Sequence, residues 1–350
     1  MKFAPSLDAA ALLEMARAAN RDLPRSALTD GAFMLVELGR HAALTAGDRR
    51  ALGAWLTRQA CPVLAVAEQG IAHAMACACD VVVQDQAELV ALAENIGRTP
   101  LAALVLVQLL RLTEGMDVQQ ALVCESLAYA TLQAGREFRV WLDGAQRPGP
   151  AAAPENGPAV RVERQGARLD LTLNRPERRN ALSVAMRDAL AEALELVLAD
   201  DTISEVWIRG AGPSFSSGGD LAEFGTVADA ATAHAVRMTR SVPALLARCA
   251  PRLKFRVHGA AVGAGAEMAA FGARIEATED AFFQLPEIRY GLIPGSGGCV
   301  SLPRRIGRLR TAELALSAAR LPAGRAAQWG LVDAVGAPRA SAVAAGGGGT

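Results

Sequence analysis

The chain has 350 residues, 51% of them hydrophobic, and its 36 basic and 36 acidic side chains cancel. That length supports two domains or one large one, with a sizeable core. A balanced charge removes the broad basic field that draws in a phosphate backbone, so nucleic acid is not an expected partner. The longest apolar run, Leu101 to Leu110 broken only by Gln108, is far short of the ~20 residues of a membrane span. Asp8 and Glu14 stand where a signal peptide needs apolar residues, so a cytoplasmic protein with no membrane partner is expected.

The six cysteines, Cys61, Cys77, Cys79, Cys124, Cys249 and Cys299, sit in apolar surroundings. Only Cys77 and Cys79 are close, and a one-residue gap fits neither a zinc knuckle nor a redox pair. With His41, His73, His234 and His258 dispersed, the expectation is buried reduced thiols and no metal. Lys2 and Lys254 are the only lysines, a bias that a GC-rich genome explains.

In chain order, a helix opens the sequence and Ala32 to Leu38 reads as a buried strand between Gly31 and Gly39. Thr45 and Asp48 have capping-box spacing ahead of a helix to about Gln59. Val63 to Ala67 and Val81 to Val83 predict two short strands around a small-residue helix. From Ala87 to Leu142 the periodicity is helical throughout. Residues 144–158, rich in Pro, Gly and Ala, read as a linker.

Beyond it, strand and helix alternate as in layered α/β structure. Val160 and Val162, then Leu169, Leu171 and Leu173, predict two strands joined by a turn at Gln165-Gly166. Leu190, Leu194, Val197 and Leu198 make a helical stripe. Val206 to Arg209, Leu253 to Val257 and Leu331 to Val335 are the next strands. In the second of these, Arg252, Lys254 and Arg256 alternate with Leu253, Phe255 and Val257, the pattern of one exposed face. Residues 337–350 offer almost nothing to bury and read as a disordered tail.

Four segments carry the chemical information: LNRPERRNALS from Leu173, FSSGGDL from Phe215, VHGAAVGAGAEMA from Val257 and FQLPEIRYGLIPGSGG from Phe283. GAGAEM has Met268 where a dinucleotide fingerprint needs its third Gly, and Gly291 to Gly298 lacks the ending of a phosphate loop. Together, in order, spacing and wording, the four resemble the crotonase (enoyl-CoA hydratase/isomerase) superfamily over about Val160 to Val335.

The resemblance implies an α/β fold: a crotonase-like spiral of ββα units over residues 159–336, preceded by a smaller α/β-to-helical part over residues 1–143. It implies an acyl-CoA substrate, with coenzyme A as part of that substrate, no covalently bound cofactor, and a homo-oligomer, trimer or hexamer. Position by position, the backbone N–H groups of Gly219 and Ala264 would form the oxyanion hole, Ala264 replacing a more usual Gly. Such donors serve developing negative charge directly, and a helix expected over Ala266 to Ala273 would add its N-terminal dipole. Glu267 and Glu287 match the two catalytic glutamates, a pair suited to moving protons between water and Cα. Arg178, Arg179, Ala181, Ser217, Gly218, Asp220 and Leu221 fall on the segments that bind the coenzyme A arms. Arg175 is a further candidate phosphate contact, Asp220 also a candidate helix cap, and His258, in place of a commoner Asn, a local hydrogen-bonding residue.

The implied function is an enoyl-CoA hydratase. An isomerase or another crotonase-type acyl-CoA enzyme is the first alternative, and a non-catalytic partner subunit the second. Residues 61–80 resemble a degraded copy of the strand-and-oxyanion region, and residues 86–147 resemble the helical tail of a crotonase, with Phe138 and Trp141 packing at its end. The N-terminal part is therefore expected either to stand in for tail helices not found after Val335 or to be an independent helical addition.

Overall fold

The computed structural model of the chain describes residues 7, 9–18, 24–38, 44–145, 157–227 and 229–336. Most of the expected linker and all of the expected tail lie outside the described residues. The described chain opens with α1 (Ala9–Arg17), β1 (Met34–Glu37), α2 (Ala46–Leu56), β2 (Val63–Val66) and β3 (Val81–Val83). Thr45 caps α2 by accepting from the Asp48 N–H at 3.1 Å, as its spacing predicts. Between β2 and β3 the expected helix is two short 3-10 turns, Gly70–Ala72 and Ala76–Ala78.

Four helices follow: α3 (Leu89–Arg98), α4 (Pro100–Leu112), α5 (Val118–Gln133) and α6 (Arg136–Gly144). Proline at the first position of α4 ends α3 at the preceding residue, and the two helices meet at a bend of 111°. Glu137 of α6 supplies the α4 cap, accepting from the N–H groups of Leu101 and Ala102 at 2.9 Å each. No single helix among the described residues is long and apolar enough to cross a membrane.

The chain continues with β4 (Val160–Gln165), β5 (Arg168–Leu173), α7 (Val184–Ala199), β6 (Glu205–Gly210), α8 (Ala230–Thr239), α9 (Val242–Cys249), β7 (Leu253–Val257) and β8 (Ala260–Val262). Then come α10 (Ala264–Ala269), β9 (Arg274–Ala277), β10 (Phe282–Gln284), α11 (Gly298–Ile306), α12 (Arg308–Ser317), β11 (Leu321–Pro322), α13 (Ala323–Trp329) and β12 (Ala334–Val335).

The residues group into two compact units that do not follow chain order. One comprises residues 1–144, 285–293 and 302–319; the other comprises 145–284, 294–301 and 320–350. In the first, β1, β2 and β3 form a parallel sheet. One face of it buries Val36, Val63 and Ala65 with Leu52, Trp55 and Leu56 of α2 in an apolar cluster. α12 packs on α3, α4 and β3, and the 3-10 turn Glu287–Tyr290 packs on α3, α6 and α12.

A buried ionic cluster ties this unit together. Asp80, 1% exposed, accepts from the Val63 N–H at 2.7 Å and from the guanidinium groups of Arg111 and Arg308. Arg308 also reaches the carbonyls of Cys77 and Cys79, and Arg111 those of Gln59 and Cys61.

In the second unit, β12-β9-β7-β6-β5-β4 form a six-stranded sheet, parallel except for the β4/β5 hairpin, and β11-β10-β8 form a smaller one. Leu169, Leu171, Ile208, Leu253, Phe255 and Ile275 point into the core from alternate positions, as a half-buried strand requires. The opposite face is charged: Trp207 lies beneath Arg256 at 4.6 Å and beside Lys254 and Arg168 at 5.6 Å.

Several expectations are corrected. The strand expected over Leu331 to Val335 is limited to Ala334–Val335, because the turn closed at Gly330 (φ +84°) buries Leu331 and Val332 without sheet pairing. The helix expected over Ala266 to Ala273 is Ala264–Ala269; Phe271 and Gly272 donate to the nearer carbonyls of Met268 and Ala269, and the Ala273 N–H goes to the Leu253 carbonyl of β7. Val160 and Val162 lie in a strand as expected, β4, whose Val162 is 46% exposed. Four of the cysteines are buried, but Cys77 is exposed and Cys124 only half-buried.

Candidate functional site

The loop after β6 and the segment β8–α10 run side by side in the second unit. Ser216 donates its N–H to the Ala260 carbonyl, and its own carbonyl accepts from Val262 N–H, both at 3.0 Å. Gly265 lets the two close: a Cβ there would sit 2.8 Å from Ser216 Cβ. Gly218, at φ +92°, faces the same segment, and a Cβ on it would lie 2.8 Å from the Val262 carbonyl oxygen and 3.6 Å from the Ala264 nitrogen. Only glycine satisfies both the angle and the space.

Gly219 follows Gly218 directly in the chain, and the Ala264 nitrogen lies 3.6 Å from where a Cβ on Gly218 would stand. Leu182 pairs with the carbonyl of Gly218 and the N–H of Asp220, leaving the Gly219 N–H turned away from that strand-like contact. Ala264 is the first residue of α10, where a helical N–H has no partner within its own helix. Among the described residues neither N–H has an acceptor. Two backbone donors beside a glycine can hold an oxygen that carries negative charge. The Phe224 ring covers the outer side of Gly219, 3.0 Å from where a Cβ would stand.

Glu267 lies one turn into α10 and is 1% exposed. Its Oε2 accepts from the N–H groups of Ser296 at 2.7 Å and Gly298 at 2.8 Å, and Ser301 Oγ ties down its carbonyl at 2.8 Å. Burial pushes its carboxyl up to about 7, against the opposing pull of those two N–H groups and of Arg237. A carboxyl in that range can both take and return a proton near neutrality. Glu287, also buried, belongs to the other compact unit, at the start of the turn Glu287–Tyr290. Within that unit the Tyr290 phenol is pushed up, first by burial and then by the Glu287 charge.

The coenzyme A candidates gather around the same loop in the second unit. Arg179 and Asn180 adopt left-handed backbone at φ +51° and +53°. Ser217 donates its N–H to the Arg179 carbonyl at 2.9 Å, and Ser217 Oγ reaches the Arg178 carbonyl at 3.4 Å. Arg179 is exposed, Ala181 buried and Leu221 half-buried. Asp220 caps the short turn Leu221–Glu223 through the Ala222 N–H at 3.0 Å and pairs with Arg178 at 3.4 Å. Arg175 differs from its expectation: it is 5% exposed and its guanidinium is bound to the carbonyls of Pro158 and Asn174. His258 bonds the Gly212 carbonyl at 2.9 Å.

Three contributors, Asn180, Ser296 and Gly298, carry no role assigned from sequence. Asn180, fully buried, bonds the carbonyls of Ala211, Ser214 and Phe215 and accepts from the Arg175 N–H; its tolerance of left-handed backbone is the only signal in the sequence. Ser296 and Gly298 hold Glu267 through backbone groups, which leave no mark on side-chain identity beyond the small residues of PGSGG.

A family model described as enoyl-CoA hydratase/isomerase matches residues 163–343. The chain is 40% identical over 177 residues to the 2,3-dehydroadipyl-CoA hydratase of Escherichia coli (strain K12), covering 50% of this chain and 68% of that one. It is 37% identical over 169 residues to the 1,2-epoxyphenylacetyl-CoA isomerase of the same organism, covering 47% and 64%. Thus it spans about two thirds of the length of these relatives. A solved enoyl-CoA hydratase/isomerase from Mycobacterium paratuberculosis is 31% identical with a TM-score of 0.48, over 52% of this chain and 74% of that one.

Proposed function

The chain belongs to the enoyl-CoA hydratase/isomerase family, and on that premise we propose that it adds water to a 2-enoyl-CoA thioester. The observation that carries this reading is the pair of acceptor-free N–H groups of Gly219 and Ala264, with buried Glu267 three residues further along the chain.

The thioester carbonyl sits between the two N–H groups. When oxygen adds at Cβ, electron density moves through Cα to that carbonyl, and each fixed donor stabilises the enolate by ~2.7–4 kcal/mol. Glu267 and Glu287 divide the proton traffic. One carboxylate takes a proton from the attacking water while one carboxylic acid delivers a proton to Cα, so the elements of water are added and both groups are restored by exchange. The coenzyme A arm runs along Arg178, Arg179, Ala181, Ser217, Gly218, Asp220 and Leu221, where the two guanidinium groups serve its phosphates. The assembly expected with this reading is a homo-oligomer, trimer or hexamer, which sedimentation of the full chain tests.

A second reading, isomerisation of the double bond, draws on Glu267 itself. A carboxyl held near 7 can remove a proton at one carbon and return it at another, with the same enolate between. Incubating the full chain with crotonyl-CoA and longer 2- and 3-enoyl-CoA esters in 18O-labelled water separates the two. A labelled 3-hydroxyacyl product supports hydration; unlabelled positional isomers favour the second reading. No turnover at any chain length, with Glu267→Gln behaving as wild type, sinks both.

A further inference from the structure

We propose that Thr99 and Trp141, both from the N-terminal region, are positioning residues for Glu287; this rests on the acid–base role given to Glu287 above. The turn Glu287–Tyr290 is one short 3-10 turn, and its bonds include Arg289 N–H to the Pro286 carbonyl, Gly291 N–H to the Glu287 and Ile288 carbonyls, and Leu292 N–H to Glu287. A single such turn lacks the cooperative ladder that makes a longer helix rigid. Something else must fix the carboxyl-bearing residue.

Within the same compact unit, the N-terminal helices grip the turn at three points. Thr99, the residue between α3 and α4, donates its hydroxyl to the Ile288 carbonyl at 2.8 Å, across 189 residues of sequence. Trp141 of α6 meets the Tyr290 ring at a centroid distance of 4.6 Å and is itself backed by Phe138 at 5.7 Å. Gly291, at φ +70°, lies flush on α6: a Cβ would stand 2.7 Å from Glu137 Cβ and from the Phe138 nitrogen. Carbonyl, ring and glycine therefore lie on the residues that follow Glu287 directly, so its Cα is located by groups about 150 to 190 residues earlier in the chain.

The anchors are themselves held. Glu137 fixes α6 to the start of α4 through Leu101 and Ala102. Asn95 of α3 donates to the carbonyls of Leu316 and Ser317 at 3.0 and 2.8 Å, and Arg289 reaches the next carbonyl, Ala318, at 3.2 Å. The side chain of Thr99 is 7% exposed as a residue total and Ile288 1%, so the hydroxyl-to-carbonyl bond is made away from water, where its loss leaves an unsatisfied acceptor.

The test uses the full chain and four variants: Thr99→Val, Thr99→Ser, Trp141→Phe and Glu287→Gln. Thr99→Val is expected to lower kcat about tenfold with KM little changed, and to move the limb of the pH profile that Glu287→Gln abolishes, because misplacement rather than binding is affected. Amide exchange over 286–293 should rise about five- to a hundredfold while the strands of the six-stranded sheet keep their protection. Thr99→Ser should restore all three readouts, and Trp141→Phe should give a weaker version of the same changes. Faster exchange with kcat and pH profile unchanged marks a merely structural contact and overturns the proposal, as does no change at all. If Thr99→Val does not fold, Trp141→Phe decides by the same readouts. If wild type turns over no enoyl-CoA, the functional reading falls by itself. The positioning claim is then decided by the 13C carboxyl titration of Glu287, assigned through Glu287→Gln: a curve moved by Thr99→Val supports it, and an unmoved curve overturns it.

Discussion

Gly298 donates its N–H to Glu267 Oε2 at 2.8 Å, and a Cβ on Gly298 would fall 2.5 Å from Glu267 Cγ. The glycine thus binds the carboxylate and makes room for it with the same backbone. Gly298→Ala must push Glu267 off its two N–H donors. The expected result is a loss of about 10²-fold in kcat with the fold retained, since ångström-scale misplacement of a reacting group costs on that order. Steady-state kinetics with far-ultraviolet dichroism checks it.

Glu267→Gln keeps the shape and an acceptor for Ser296 and Gly298 but cannot exchange protons. Turnover should fall by about 10²–10⁴-fold, the usual contribution of one acid–base group. Single-turnover rates on a 2-enoyl-CoA measure it, and a rate within threefold of wild type would remove Glu267 from the chemistry.

The raised carboxyl of Glu267 also sets a pH dependence of stability. Its folded value is about 7 against an ordinary 4.5, so between those values the folded state holds a proton that the unfolded state has lost. The stabilising contribution is complete below about 4.5 and is lost as pH rises through about 7, with an upper bound of about 3 kcal/mol. Urea midpoints of wild type should decline across that window relative to Glu267→Gln, whose amide does not titrate. Parallel curves would show that the carboxyl is not shifted.

Asp80 sits between Arg111 and Arg308 with 1% exposure. Asp80→Ala leaves the buried Arg308 and the partly buried Arg111 guanidinium groups without their shared carboxylate, and removing one partner from such a site costs about 3–5 kcal/mol. Denaturant unfolding of the full chain checks this. Arg308→Met should cost less than Asp80→Ala, because Arg111 still neutralises the carboxylate.

Arg178 and Arg179 test the coenzyme A groove. Each truncation to Ala should raise KM by about tenfold, in line with one charge-assisted hydrogen bond, and leave kcat within a few-fold. Rising salt should narrow the difference from wild type.

How far the sequence could be read depended on the range over which each signal acts. Thr45 and the bounding glycines act within a turn, and α2, α7 and β7 lie where local pattern puts them. Motif order groups the loop around Gly218 with the segment around Gly265, but the bonds of Ser216 to Ala260 and Val262 that join them belong to the folded backbone alone. The failures have longer reach. Nothing near Thr99 points to Ile288, nothing near Asp80 points to Arg308, and the small residues at 295–298 reveal their hold on Glu267 only once the backbone is placed. α10 is shorter than its apolar run suggests, since the Ala273 N–H bonds the Leu253 carbonyl of β7, a partner from elsewhere in the chain.

The membership of the first compact unit also bears on how the chain is made. Asp80 leaves the ribosome with Arg111 close behind, but Arg308 follows 228 residues after Asp80. At about 5–20 residues per second that interval lasts on the order of 10–45 s. Through it, α3 and α4 exist without α12, and their apolar surfaces await a partner still being translated. Nascent chains of this protein should therefore depend on holding chaperones until translation has passed residue 319, and synonymous codon changes after residue 144 should alter soluble yield without altering the finished molecule.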